Sequence, residues 1–265
     1  MEMLQGLFFL AIVAYAIYVG INSAGYTTKT VYPPDPNLDA RKTNLSYEQI
    51  EHYISILRKR LPQKPTANNL PFHFEHPADI NTWPDHRLEP YFKNYVAEVC
   101  KFLRLPKSIH VIFTKTMKEP GKYIQFEGLQ HIQIRPGLAE KSVYWAVISH
   151  EIAHYYLYTY NVVLQGEHIN EMLTEVAAIY FGFGFQLLEG YQTFSWEEGQ
   201  MRRSESVGYI NRASIMRGIV ATAKARKQHP YHIISKFPTK EDRLWAQGQL
   251  ADLIKAYEAH RASSR

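Results

Sequence analysis

The chain has one cysteine in 265 residues, Cys100, and a lone thiol excludes an internal disulfide framework without fixing a compartment. It has no glycine-rich phosphate loop, no nucleic-acid-binding module and no internal repeat, so readings that depend on those carriers are set aside. Positive charge is present but not concentrated. The net charge is +5 with a pI near 9.0, which suits an anionic membrane surface, yet the basic residues are scattered. Short groups such as Arg58-Lys59-Arg60 and Lys224-Ala225-Arg226-Lys227 read as solvated helix faces. Charge is missing altogether between Leu4 and Ile21, eighteen residues. At about 1.5 Å per residue this run spans roughly 27 Å as a helix, close to the thickness of a hydrocarbon core. A cleavable signal peptide fits less well, because the start carries no Lys or Arg and the run is long for such a core; a buried helix is the third option. Glu2 precedes the run and Lys29, Arg41 and Lys42 follow it, so the positive-inside rule leans towards a single-pass membrane protein with its main domain on the cytoplasmic side.

Hydrophobic residues make up 46% of the sequence, enough for one good core after the apolar N-terminal run. Residues 1–24 are assigned to a transmembrane anchor, 25–44 to a polar linker containing Pro33, Pro34 and Pro36, and 45–265 to one domain. Ser46 and Gln49 form a capping-box pattern ahead of Ile50, Tyr53, Ile54, Leu57 and Leu61, which are spaced for one helix face. A second helix is predicted over 89–103, through Tyr91, Tyr95, Val99 and Phe102. Strand-like runs follow at 108–114, 123–126 and 131–134, separated by Pro and Gly. The C-terminal part reads as mostly helical, with Thr239 opening a bracing helix through Leu244, Trp245, Leu250, Leu253, Ile254 and Tyr257. Trp196, Arg202 and Arg203 are candidates for closing a cleft. The predicted class is α+β: a small sheet, then mostly helices.

Within the helical part, His150-Glu151-Ile152-Ala153-His154 is an H-E-x-x-H sequence. On a helix turning about 100° per residue, the two imidazoles lie roughly 40° apart on one face, and Glu151 sits about 60° from His154 on the flank. Such an arrangement offers a zinc ion two neutral nitrogen ligands, and its water a base that stands beside the metal but not on it. Independent placement gives about 0.04 such matches in a chain of this composition, so the surroundings carry weight. Val143, Val147, His150, His154 and Leu157 step by four, three, four and three, which turns both histidines inward. The plainer alternative is a pair of core histidines satisfied by hydrogen bonds.

Asn170-Glu171-Met172-Leu173-Thr174-Glu175 then leads into an apolar helical run, 176–182. Two carboxylates four apart cost a few tenths of a kcal/mol on a free helix, and a nearby cation removes that conflict. With Glu171 as a third donor the set becomes two His, one Glu and a water position, a catalytic arrangement rather than a closed structural one. Glu175 can then accept a hydrogen bond from a ligand imidazole and fix its tautomer. Without a metal, both carboxylates read as solvated residues stabilised by the helix N-terminus. Glu167 and His168 are rival third donors.

Over roughly residues 140–185, His150-Glu151-x-x-His154 followed by Asn170-Glu171-x-x-Thr174-Glu175 resembles the gluzincin metallopeptidases, the thermolysin-like group. The resemblance implies a zincin-like fold, Zn2+ as cofactor, His150, His154 and Glu171 as ligands, Glu151 as general base and Glu175 as the acid behind a ligand. The segment between His154 and Glu171 is shorter than in thermolysin, and Glu stands at 175 where Asp is usual. The implied reaction is hydrolysis of peptide bonds in a peptide or protein substrate by metal-activated water. A downstream His or Tyr supplies an oxyanion donor in such enzymes; Tyr209, His229, Tyr231 and His232 are available, and nothing in the sequence selects one. The strand beside the metal helix, taken as 131–134, is expected to pair with an extended substrate. Two rival readings are a membrane-tethered zinc-binding regulatory module without turnover and a non-metal structural protein.

Overall fold

The structure, a computed structural model, describes residues 42–61, 72, 74, 77, 79–105, 109–126, 129–138, 141–197 and 200–263. The predicted membrane helix and most of the predicted linker lie outside the described residues. Among the described residues no helix is long and apolar enough to cross a membrane.

Helix α1 (Tyr47–Arg60) starts where its cap predicts: the Gln49 amide donates to Ser46 Oγ, and the Ser46 amide donates to the Gln49 side chain. Its predicted stripe is buried. Helix α2 (Asp85–Phe102) begins earlier than expected. Extended backbone at Pro84 stops there, and Leu88, fully buried, already belongs to its core face. Three short strands follow, β1 (His110–Phe113), β2 (Gly121–Phe126) and β3 (Leu129–Ile134), in the order β1-β3-β2, with β1 parallel and β2 antiparallel to β3. Val111, Ile132 and Ile134 form the sheet's buried face, and α2 packs on β1 while the next helix packs on β2 and β3.

That next helix, α3 (Lys141–Thr159), runs through the core of the described residues. Val143, Tyr144, Ile148 and Ile152 point in different directions, yet none is more than 1% exposed. Each fully buried isoleucine contributes about 1.5–3 kcal/mol relative to exposure. The sheet covers one side of α3, and helices α4 (Glu167–Ala178) and α5 (Gly184–Gly190) cover others. A π-helical turn at Ile179–Phe183, bent at Gly182, joins α4 to α5.

The part beyond α5 is mostly helical, as expected, with one two-stranded interruption. An antiparallel hairpin, β4 (Gln192–Glu197) with β5 (Gln200–Ser206), precedes helices α6 (Arg212–Arg226), α7 (Pro230–Ser235), α8 (Lys240–Gln249) and α9 (Ala251–Ser263). Thr193, Phe194 and Trp196 are strand formers in its first arm. Trp196, Arg202 and Arg203 lie on these two strands. The helix from Thr239 is capped as expected but breaks at Leu250 into α8 and α9. The architecture is α+β, mostly helical with a small three-stranded sheet. Residues 42–44, assigned to the linker, are bound to this domain, with Thr43 pairing in parallel with Ile210.

Candidate metal centre

Helix α3 contributes His150 and His154, and α4 contributes Glu171. The short connection between the helices is clamped by Asn170, whose Oδ1 accepts the Leu164 amide at 2.7 Å and whose Nδ2 donates to the Gly166 carbonyl at 3.0 Å. This clamp brings the second turn of α4 against the end of α3. His150 Nε2 and His154 Nε2 lie 3.0 Å apart, and each lies 3.2 Å from Glu171 Oε2. Ligands at about 2.05 Å from a tetrahedral zinc are separated by about 3.3 Å. The three donor atoms therefore already stand close to the edges of such a polyhedron, and the group can hold a metal ion.

The far side of each ring is also occupied by α4. Thr174 Oγ1 donates to the Asn170 carbonyl at 2.8 Å, which leaves it to accept from His154 Nδ1 at 3.2 Å. Glu175 Oε1 lies 3.3 Å from His150 Nδ1, close enough to attract that proton although the angle falls short of a well-formed hydrogen bond. In the Nδ1-protonated tautomer that metal binding requires, each Nε2 would present its lone pair beside Glu171 Oε2. Glu175 itself is 1% exposed and accepts the Tyr209 amide at 3.0 Å. That approach needs glycine at 208: φ is +83°, and a Cβ there would lie 2.4 Å from Glu175 Oε1.

Glu151 is buried on the flank of the pair, and its Oε2 accepts the Tyr123 amide at 2.7 Å. Strand β2 reaches it because Gly121 lets the backbone lie on α3; a Cβ there would lie 2.1 Å from Val147 Cγ1 and 3.4 Å from Glu151 Oε1. The carboxylate is thus held by the sheet, while the carboxylate of the convergent trio is held by α4.

Burial opposes a charge on His150, but its close contacts with Glu171 and Glu175, with the charges of Glu175 and Glu151, outweigh it and lift the imidazole to about 10. Burial likewise opposes ionisation of Glu171, yet its bonds to His150 and His154 hold it down to about 2. In the metal-free chain a proton on His150 therefore balances a cluster of carboxylates. A divalent cation would do the same work at the same place and displace that proton. Burial, then the charges of Glu171, Glu151, Glu175 and Glu167, raises Tyr209 to about 12, so its phenol stays protonated.

All five residues expected to form the site, His150, Glu151, His154, Glu171 and Glu175, are brought together. Neither Glu171 nor Glu175 is a solvated first-turn residue, because α4 begins at Glu167 and turns both towards α3. The rival donors are elsewhere: His168 Nε2 meets Thr43 Oγ1 at 3.2 Å, and Glu167 is exposed. Of the four downstream candidates only Tyr209 reaches the site, its ring stacked on His150 with centroids 5.9 Å apart. His229, Tyr231 and His232 belong to α7 and its cap, where His229 and Tyr231 meet Tyr257 and Glu258 of α9. Thr174 was quoted in the motif without a role; its position three residues after Glu171 was the available signal. The strand expectation is corrected. β3 is central and hydrogen-bonded on both sides, so residues 131–134 have no edge to offer, and Gln133→Pro would break the sheet rather than test substrate binding. The edge beside Glu151 is β2. Comparisons of the chain with protein-family models, curated proteins and solved structures find no significant match.

Proposed function

We propose that this chain is a zinc-dependent metallopeptidase of the gluzincin type, with His150, His154 and Glu171 as metal ligands and Glu151 as general base. The observation that carries this reading is the meeting of three ligand atoms at 3.0–3.2 Å from one another, beside a fourth group, the separately held Glu151 carboxylate. When bound, zinc supplies Lewis acidity, polarising a peptide carbonyl and bringing the acidity of its water near neutral. Glu151 keeps Oε2 on the Tyr123 amide and uses Oε1 for the proton. As the water oxygen bonds to the carbonyl carbon, Glu151 takes the proton and passes it to the amide nitrogen when the C–N bond breaks. A carboxylic acid and an amine result, and Glu151 returns to its starting state. The Tyr209 phenol, protonated at neutral pH, is the donor to the carbonyl oxygen as charge builds there. Substrate backbone lies along β2, the edge that also holds Glu151. The apolar run at 4–21 keeps the peptidase at a membrane.

Metal analysis of purified protein and cleavage of a broad peptide set, with native chain and Glu151→Gln side by side, test the proposal. Stoichiometric zinc in both proteins is expected, with turnover about 10²–10⁴-fold lower in the variant. Equal turnover would remove Glu151 as the base. Zinc in both with turnover in neither would identify a tethered zinc-binding module, and no zinc at micromolar metal would end the metal reading.

A further inference from the structure

The turn that presses on Glu175 is held from a distant part of the chain. Val207, Gly208 and Tyr209 link the β4–β5 hairpin to α6, and a turn of this kind needs partners for its carbonyls to keep one conformation. Lys42 supplies two of them: its ammonium donates to the Val207 carbonyl at 2.7 Å and to the Gly208 carbonyl. Thr43 supplies the next, its amide donating to the Tyr209 carbonyl at 3.0 Å while its own carbonyl accepts the Asn211 amide at 2.9 Å. The Thr43 hydroxyl also meets His168 in the first turn of α4. Lys42 and Val207 are 165 positions apart in sequence, so this is tertiary docking and not a local turn.

On the other side of the same turn, the Tyr209 amide donates to Glu175 Oε1, and the Tyr209 ring lies on His150. Glu175 in turn faces His150 Nδ1. We infer that Lys42 and Thr43 are positioning residues of the metal centre, which act on His150 through the Gly208–Tyr209 turn and Glu175. The inference rests on the metallopeptidase reading, since it concerns the same ligands. A charged donor on two adjacent carbonyls is a stronger restraint than neutral hydrogen bonds, and groups behind a ligand imidazole set its tautomer and aim. Loss of the ammonium frees the turn, moves the Tyr209 amide off Glu175, and leaves His150 Nδ1 without a fixed acceptor.

The experiment uses the full chain and zinc alone, with affinity read by competition against a chromophoric chelator. Cobalt substitution adds the visible ligand-field bands as a reporter of coordination geometry. Lys42→Met and Lys42→Gln each remove the charge, and about a tenfold loss of zinc affinity with shifted cobalt bands is expected, the low end for groups that act through a ligand. Lys42→Arg restores affinity to within about threefold, because it keeps charged donors of similar reach. Arg217→Ala is the control: Arg217 holds the same strap at Asn44 Oδ1 and the Leu45 carbonyl but does not touch the turn. It should lower thermal stability with zinc affinity and cobalt bands unchanged. Wild-type affinity in both charge-removing variants, or an equal loss in Arg217→Ala, would overturn the positioning role while leaving the metal reading intact. Failure of the native chain itself to bind zinc would overturn both.

Discussion

Two clusters among the described residues share residue types, His, Tyr and Glu, and in only one of them do the ligand atoms converge as a metal ion would need. Around His150 the rings and carboxylates are largely withdrawn from water, and His150 Nε2, His154 Nε2 and Glu171 Oε2 lie 3.0–3.2 Å from one another. At the C-terminal end, His229, Tyr231, Tyr257 and Glu258 also gather, but there the groups satisfy one another in pairs: His229 Nε2 with Tyr257 OH at 2.8 Å, and the Tyr231 hydroxyl with Glu258. Tyr231 is 42% exposed. Pairwise satisfaction at a surface aims each group at its partner and not at a common point, and water competes for each group. Convergence in a buried place does the reverse. It gathers the charges of Glu151, Glu171 and Glu175 around a single imidazole, and a cation placed there would offset them.

The largest contrast between the clusters is expected on metal removal. Dialysis against a strong chelator should abolish peptide cleavage, and stoichiometric zinc should restore it, whereas His229→Ala should leave cleavage within about twofold of native because its bonds end at α9. Activity that survives chelation would put the chemistry elsewhere. Next in size are the groups behind the ligands. Thr174→Val keeps the shape but removes the acceptor for His154 Nδ1, and Glu175→Gln removes the charge facing His150; each should cost about 10–100-fold in zinc affinity. Isothermal titration or chelator competition reads both. An unaltered affinity in Thr174→Val would mean that the ring orientation is fixed by packing alone.

How much of this could be read from the chain follows from the length scale of each signal. The capping box at Ser46 and Gln49 is local and was legible, as was the H-E-x-x-H pair, whose spacing is a property of one helix. Glu171 was legible because it recurs in a motif. The inward stripe at Val143, Val147, His150, His154 and Leu157 was right but did not discriminate, since Tyr144, Ile148 and Ile152 on other faces are equally buried. A helix enclosed on all sides carries no amphipathic pattern. What stayed hidden depends on long-range docking. Which strand is central cannot be told from three short runs of similar character, so the sequence does not distinguish 131–134 from an edge. Tyr209 looked no different from Tyr231 until the turn at Gly208 placed it on His150. Lys42 read as part of a linker, because nothing local announces a partner 165 residues away.

The smallest effect is a pH dependence that separates the metal-free site from its metal-bound form. His150 is lifted from 6.5 to about 10, so its contribution to stability is complete below about 6.5 and lost as pH rises through about 10. Glu171 is held from 4.5 down to about 2, so its contribution is complete above about 4.5 and lost as pH falls through about 2. Between these limits the metal-free site is held together by its proton. Raising the pH from 7 to 10 should therefore lower the Tm of the chelator-treated protein by several degrees, at about 2–4 °C per kcal/mol for a domain of this size. Zinc replaces the proton with a charge that does not titrate away, so the loaded protein should lack this component. Other groups that ionise near pH 10 act on both forms and cancel in the difference between the two melting curves. A difference that does not widen with pH would mean that His150 is not the proton's seat, and that the carboxylates of Glu151, Glu171 and Glu175 are balanced by some other group.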